Sequence, residues 1–418
     1  MPELIHPRSN AILEMDTAGY SWNPATSLSA DREQIETGGI QISRYTSEFW
    51  TSQQRKASSI HEVSYRACFK PQLPRFFITR LTQPGDTVYD PFSGRGTTAL
   101  EAGLLGRKVI ANDVNPLSQI LTCPRFFIPF ELDIRSRLKE IPIDLDARAS
   151  FDLSMFYHRN TESEIISLRS YLKEQQIRGL EDYIDAWIRM VATNRLTGHS
   201  GGFFSVYTLP PNQAISAERQ QRINLRRGQV PGYRNTKDLI IKKTRSLIRG
   251  ITAEERQRLK RAGESGLFLT EDSRKTRSIP AESVSLTVTS PPFLDTVQYA
   301  QDNWLRCWFN AIEAPEIERN LTITRSLDSW CRVMRETFLE LFRITVPGGH
   351  IAFEVGEVRR GRLKLDEHIV PIGADAGFLP LGILVNLQQF TKTSHIWGVG
   401  NNDLGTNTNR IVLFRKEK

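Results

Sequence analysis

Residues 84–113, PGDTVYDPFSGRGTTALEAGLLGRKVIAND, restrict the fold more than any other stretch of the chain. A turn at Pro84, Gly85 and Asp86 feeds a short apolar strand, and a loop carrying Gly94 and Gly96 follows. The spacing then predicts a helix from Thr97 to about Leu105, stopped by Gly106, and a second strand over Val109 to Asn112. Strand, glycine loop, helix and strand in so short a span form a βαβ opening, which commits the chain to an α/β sheet.

The third strand of such a sheet should follow within roughly 15–25 residues, yet the next clean candidate is GLFLTEDS at 266–273. The intervening chain reads as an insertion with helical patterns such as TESEIISLRSYLKEQQIRGLEDYIDAWIRMVATNRL. It also holds GHSGGFFSVYTLPPNQ, read as an exposed loop bearing Phe203, Phe204 and Tyr207. After Ser273 the rhythm resumes with SVSLTVTSPPF, two helical stretches, and the strand-like PGGHIAFEVGEV, LGILVNLQQFT and TNRIVLFRK. The expected fold is a doubly wound, Rossmann-like α/β sheet with a large, mostly helical insertion. Residues 1–60 are expected to be an irregular lead-in, 61–117 and 264–418 the sheet domain, and 118–263 the insertion.

Hydrophobic content of 39% with 24% charged residues suits a folded protein. No apolar run is long enough for a membrane helix, and the N-terminus lacks the order of a signal peptide, so a cytoplasmic location is expected. The four cysteines form no CxxC pair, which predicts buried thiols and no metal cluster. Cys123, in TCPRFF, is expected to be such a structural thiol. The formal charge is +8, and residues 219–249 alone carry ten Lys or Arg against the single acid Asp238. That concentration predicts one face for a polyanion, with Arg219, Arg222, Arg226, Arg227, Arg234, Lys242, Lys243 and Arg245 as the contacts.

The glycine loop departs from GxGxxG, since Thr97, Thr98 and Ala99 follow Gly96, and it has no P-loop lysine. Carboxylates stand instead at successive strand ends: Asp90, Asp113 and Asp272. In an open α/β sheet those ends line one crevice. A ligand meeting three acids and no phosphate clamp should be cationic and hydroxylated. S-adenosylmethionine fits, with its ribose diol on Asp113 and its adenine amine on Asp272.

These segments resemble the amino-methyltransferases that modify exocyclic amines of DNA bases, and among them the cytosine-N4 type. The likeness rests on the Lys70–Pro71 lead-in, the loop DPFSGRGTT, Asp113, TEDSR and TSPPF at 289–293, over roughly residues 65–117 and 266–310. It implies cofactor contacts at Lys70, Asp90, Pro91, Phe92, Gly94, Gly96, Thr97, Thr98, Asp113, Asn115, Asp272 and Ser273. It implies a catalytic loop of Ser290, Pro291, Pro292 and Phe293, whose leading Ser is the cytosine-N4 habit. Many cytosine-N4 enzymes place this loop before the cofactor loop, whereas here it comes after.

Proline cannot continue a central strand, so the pair Pro291–Pro292 ends one and fixes the Ser290 hydroxyl and the Pro291 carbonyl as rigid acceptors for an amine. Phe293 offers a face for a flipped base. The expected reaction is one in-line methyl transfer to cytosine N4 in double-stranded DNA, in partnership with a restriction endonuclease. Adenine-N6 or RNA base methylation, and a non-catalytic DNA-binding module, stand as alternatives. The late loop with Trp397, Asn401, Asn402, Asn407 and Asn409 is a further candidate for reading bases.

Overall fold

The computed structural model describes residues 31–47, 49, 57–65, 68–208, 215–292, 299–313, 326–358, 363–387 and 408–417. The elements in chain order begin with strands β1 (Asp31–Thr37) and β2 (Ile40–Ser47), helix α1 (Gln72–Leu81), β3 (Thr87–Asp90), α2 (Thr97–Leu104), β4 (Lys108–Asn112) and α3 (Leu117–Thr122). Then come α4 (Glu131–Glu140), α5 (Arg159–Ile177), α6 (Tyr183–Arg195), α7 (Ala217–Arg227), α8 (Thr236–Ile248) and α9 (Ala253–Glu264). The chain continues through β5 (Leu267–Leu269), β6 (Val284–Thr289), α10 (Tyr299–Phe309), α11 (Leu327–Ile344), β7 (Thr345–Val355), β8 (Glu357–Val358) and β9 (Leu363–Lys364). It closes with α12 (Leu365–Asp375), β10 (Phe378–Leu387) and β11 (Thr408–Lys416).

Nine strands form one sheet in the order β1-β2-β10-β11-β7-β6-β3-β4-β5. From β5 to β7 all neighbours run parallel, while β11 lies antiparallel between β7 and β10. The winding leaves β3 for β4 and β5 on one side, then returns to lay β6 on the other. This reversal opens a crevice above the carboxyl ends of β3 and β6, where such sheets bind ligands. The expected α/β fold with a mostly helical insertion is the one observed.

Sheet periodicity divides the core between two faces. Along β11, Ile411 and Leu413 join the cluster under α1 and α2, while Val412 and Phe414 join the one under α11 and α12. The helices between β4 and β5 do not build a core of their own. Trp187 of α6, fully buried and hydrogen bonded through Nε1 to Thr244 Oγ1 at 3.0 Å, belongs to the same cluster as Leu100 of α2.

Part of the lead-in departs from expectation. Residues 31–47 form a hairpin through Gly38 and Gly39, both left-handed, and β2 extends the sheet by pairing parallel with β10. The sequence pattern hides this because β1 is solvated on both faces, with Asp31, Arg32, Glu33 and Gln34 all exposed. Phe203 and Phe204 are buried, contrary to an exposed aromatic loop, and Phe203 lies under the Arg195 guanidinium. Among the described residues no helix is long and apolar enough to cross a membrane, and no His, Cys, Asp and Glu cluster could hold a metal. All four cysteines are free.

Candidate active site

The strand β3 is only four residues long and ends in Asp90, after which the chain must turn sharply into α2. Gly94 and Gly96 supply that turn, with φ of +53° and +74°. At Gly96 a Cβ would collide with the Thr122 side chain, so this glycine is required by packing on α3 as well as by its left-handed backbone. Arg125, fully buried, straps the loop from below by donating to the carbonyls of Arg95, Ile60 and Leu121. Nothing in the local sequence marks this arginine, because two of its three partners, the Arg95 and Ile60 carbonyls, are distant in the chain.

The acids expected at the strand ends differ in character. Asp90 is 2% exposed and accepts from Thr289 Oγ1 at 2.6 Å and from the Phe92 amide at 3.2 Å. Burial pushes its carboxyl up to about 7 despite these donors, with the nearby Asp113 charge adding to the rise. Asp113 accepts from the Gly94 amide at 2.8 Å and from the Asn115 amide at 2.9 Å, and burial raises it to about 6. Asp113 thus joins the end of β4 to the glycine loop. Asp272 is instead held in a two-pronged ion pair with Arg274, which draws its carboxyl below the usual range.

Other expected contacts fall around these. Pro91, Thr97 and Thr98 are buried in the loop and Phe92 is half-buried, with Thr98 Oγ1 donating to Val288 O at 3.0 Å. Asn115 caps α3 by accepting from the Leu117 amide and donates from Nδ2 to the Tyr65 hydroxyl. Asn112 fixes the chain beyond β5 by exchanging two hydrogen bonds with the Glu271 backbone. Lys70 lies exposed just before α1. Ser273 turns away from the crevice: its hydroxyl is buried 3.5 Å from Thr337 Oγ1 of α11, so packing occupies it.

Thr289, the last residue of β6, delivers the chain to Ser290, Pro291 and Pro292 beside Asp90. The Pro292 carbonyl accepts from Trp330 Nε1 at 2.9 Å, which ties the loop to α11. Phe293 lies outside the described residues. Ser290 is half-buried, and because the preceding Thr289 pairs with Phe353 in the parallel β6–β7 ladder it stands beside Glu354, near the end of β7, and as a polar neighbour lowers that carboxyl. Glu354 is 6% exposed and accepts from Asn409 Nδ2 at 2.7 Å, yet burial raises its carboxyl above the ordinary range. Sequence reading missed Glu354. A lone acid in the apolar run HIAFEV was its only signal. Asn409 is therefore occupied inside the sheet, not in a base-reading loop, while Trp397, Asn401, Asn402 and Asn407 lie outside the described residues.

The basic segment divides in two. Arg234 donates to the carbonyls of Ser200, Phe203 and Ser205, Arg245 pairs with Glu131, and Lys243, largely buried, lies 3.7 Å from Glu62. Arg234 and Lys243 are thereby engaged within the fold, contrary to the expected polyanion contacts, whereas Arg245 is exposed with a carboxylate beside it. Arg219, Arg222, Arg226, Arg227 and Lys242 remain exposed. Cys123 is half-buried, its thiol raised to about 11 by burial, a setting that suppresses thiolate chemistry.

Comparison with known proteins bears mainly on the first part of the site. A family model described as DNA methylase matches residues 23–120. A type II methyltransferase from Geobacillus stearothermophilus is 36% identical over 110 residues, covering 25% of this chain and 21% of that relative. Another from Methanocaldococcus jannaschii is 30% identical over 95 residues, covering 22% of this chain and 17% of its own length. This chain thus spans about a fifth of the length of the curated relatives it matches. A candidate DNA modification methylase from Thermus thermophilus, solved with S-adenosyl-L-methionine, is 27% identical over 35% of this chain and 54% of its own, with a TM-score of 0.21. A SAM-dependent methyltransferase from Methanosarcina mazei covers 82% of this chain and 97% of its own at 10% identity, with a TM-score of 0.31.

Proposed function

Residues 23–120 put this chain with the DNA amino-methyltransferases, and from that premise we propose that it methylates the N4 amine of cytosine in double-stranded DNA, using S-adenosylmethionine. The observation that carries the reading is the placement of Ser290 beside the buried Glu354, at the mouth of a crevice where Asp90, buried, and Asp113, half-buried, meet neutral donors only.

The crevice suits the cofactor on its own chemistry. Asp90 and Asp113 have raised carboxyls and no cation within ion-pairing distance among the described residues. A cationic ligand would supply the charge that the fold leaves uncompensated. Asp113 and the glycine loop would hold the ribose and the adjoining chain of the ligand. When bound, S-adenosylmethionine supplies a methyl group on a sulfonium, ready for in-line displacement.

The remaining work belongs to the protein. The lone pair of the cytosine amine is delocalised into the ring, so the amine must be rehybridised before it can attack. In this reading Ser290 gives its hydrogen to Glu354 and turns its lone pairs outward to accept one amine N–H, and the Pro291 carbonyl accepts the other. Pro291, Pro292 and the Trp330 bond hold both acceptors before substrate arrives, which lowers the ordering cost of the transition state. The proton lost by the amine passes through Ser290 toward Glu354, whose raised affinity for protons suits it to receive one. Residues 118–263 serve as the DNA-facing insertion in this reading. The relatives' designation as type II methyltransferases supports a role beside a restriction endonuclease.

The test is incubation with genomic DNA and methyl-labelled S-adenosylmethionine, digestion to nucleosides and mass spectrometry. N4-methylcytosine is expected. Label in N6-methyladenine would overturn the base assignment, and label only on RNA would overturn the polymer.

A further inference from the structure

Half of the basic segment is engaged within the fold, and of the five basic residues that remain, four lie on a single helix. Helix α7 is fastened through one side. Gln220, buried, donates to Tyr207 O at 3.1 Å and to Asn224 Oδ1 at 2.7 Å, and Asn224 Nδ2 donates to Met155 O at 2.8 Å. The helix is closed at its ends by the Ser216 hydroxyl, which accepts from the Arg219 amide, and by the left-handed Gly228. With 3.6 residues per turn, fixing 220 and 224 turns 219, 222, 225 and 226 outward.

That outward face is unusual in two respects. Arg219, Arg222 and Arg226 are exposed, with no carboxylate within 4.0 Å among the described residues. The one acid on this side, Glu218, is hydrogen bonded to Ser216. Amid the guanidiniums stands Leu225, 83% exposed, with Val230 at 84% just past the helix. Apolar side chains stand bare on other helices too, Leu132 of α4 and Ile177 of α5 each at 75%, so what sets Leu225 apart is its place among guanidiniums, and a membrane-binding helix would show a broad apolar face where this shows one residue. The chain just before the helix is tied to α10, because Trp304 donates from Nε1 to Ile215 O at 3.2 Å.

We propose that the outward face of α7 is the DNA-docking element, its arginines on backbone phosphates and Leu225 pressed against the bases of the groove between them. This rests on the reading of the protein as a DNA methyltransferase and assigns one helix within the insertion. Guanidiniums position a duplex without reading it, while an apolar side chain can contact thymine methyls or a base step.

The experiment measures binding of a fluorescent duplex of mixed sequence, long enough to cover the face, across a salt series. Arg222→Ala with Arg226→Ala is expected to reduce the salt slope by about 2, since each neutralised phosphate accounts for about 0.9 of that slope. Arg245→Ala with Arg249→Ala removes the same charge from α8 and its end, where the structure pairs both with acids, and should keep a slope near that of the wild type. Leu225→Ala should weaken binding about fivefold or more with an unchanged slope, as an apolar contact requires. Equal slope losses in the two double variants, no loss in the first, or wild-type binding by Leu225→Ala would overturn the assignment, and a protein partner would then be the better occupant. If the wild type binds with these slopes yet transfers no methyl group to DNA, the methylation reading falls and the docking face stands. Transfer with an unaltered slope in the Arg222 and Arg226 variant gives the reverse.

Discussion

Asp90 is costly to the fold in its charged form. Its folded carboxyl titrates at about 7, above an ordinary value of 3.8, so the folded state holds the extra proton between those limits. The sign follows from proton linkage: the native state binds more protons there, and the stability contributed by this group falls as pH rises toward 7. Asp90→Asn keeps an acceptor for Thr289 and removes the buried charge. It should raise the unfolding free energy at pH 8 by about 1–2 kcal/mol in urea titration, while weakening S-adenosylmethionine binding at least tenfold by calorimetry. In the unaltered protein, cofactor affinity should rise from pH 5 to 8 as Asp113 and then Asp90 ionise, and level off above about 8. An affinity that is flat over this range would remove both carboxylates from the binding role. Ser290→Ala should lower methyl transfer at least a hundredfold with cofactor affinity near normal, since Ser290 stands beside Glu354 and is not among the donors to Asp90 and Asp113. Loss of cofactor affinity in that variant would sink the assignment of Ser290 to the transfer step.

At the scale of elements, the glycine loop and its helix were legible in the sequence because their signals are local. A turn, an apolar strand and two glycines lie within a few residues of what they control. Gly96→Ala should cost about 3 kcal/mol or more in chemical unfolding, from left-handed strain added to the collision with Thr122. Gly106→Ala, with nothing within 4 Å of its Cβ, carries only the strain and should cost distinctly less. Equal losses would show that contact with α3 is irrelevant. What escaped the sequence is whatever depends on distant partners. Arg234 stands in the basic run like its neighbours, and only the approach of three carbonyls from 200–205 makes it structural. The hairpin at 31–47 escaped for a different reason: its outer strand buries almost nothing, so no alternation marks it. Glu354 is a single letter in an apolar strand until β6 and β11 bring Ser290 and Asn409 to it.

Among the described residues the helical insertion shares a core with the nine-stranded sheet, beside which β8 and β9 pair separately, so the insertion and the crevice stand or fall together. Deleting residues 408–416 should abolish cooperative thermal unfolding by circular dichroism, because β11 supplies hydrogen bonds to both β7 and β10 and buries Ile411, Val412, Leu413 and Phe414. Retention of a single sharp transition would show that the half-sheet from β5 to β7 holds without it. The position of β11 also has a temporal meaning. It follows every other strand of the sheet in sequence, yet its place is between two made earlier, and its Asn409 completes the contacts of Glu354. On the ribosome the nascent sheet must therefore keep an open slot beside β7, a non-local closure that folding reaches late. Until that slot is filled, the Glu354 that neighbours Ser290 lacks the donor that Asn409 supplies.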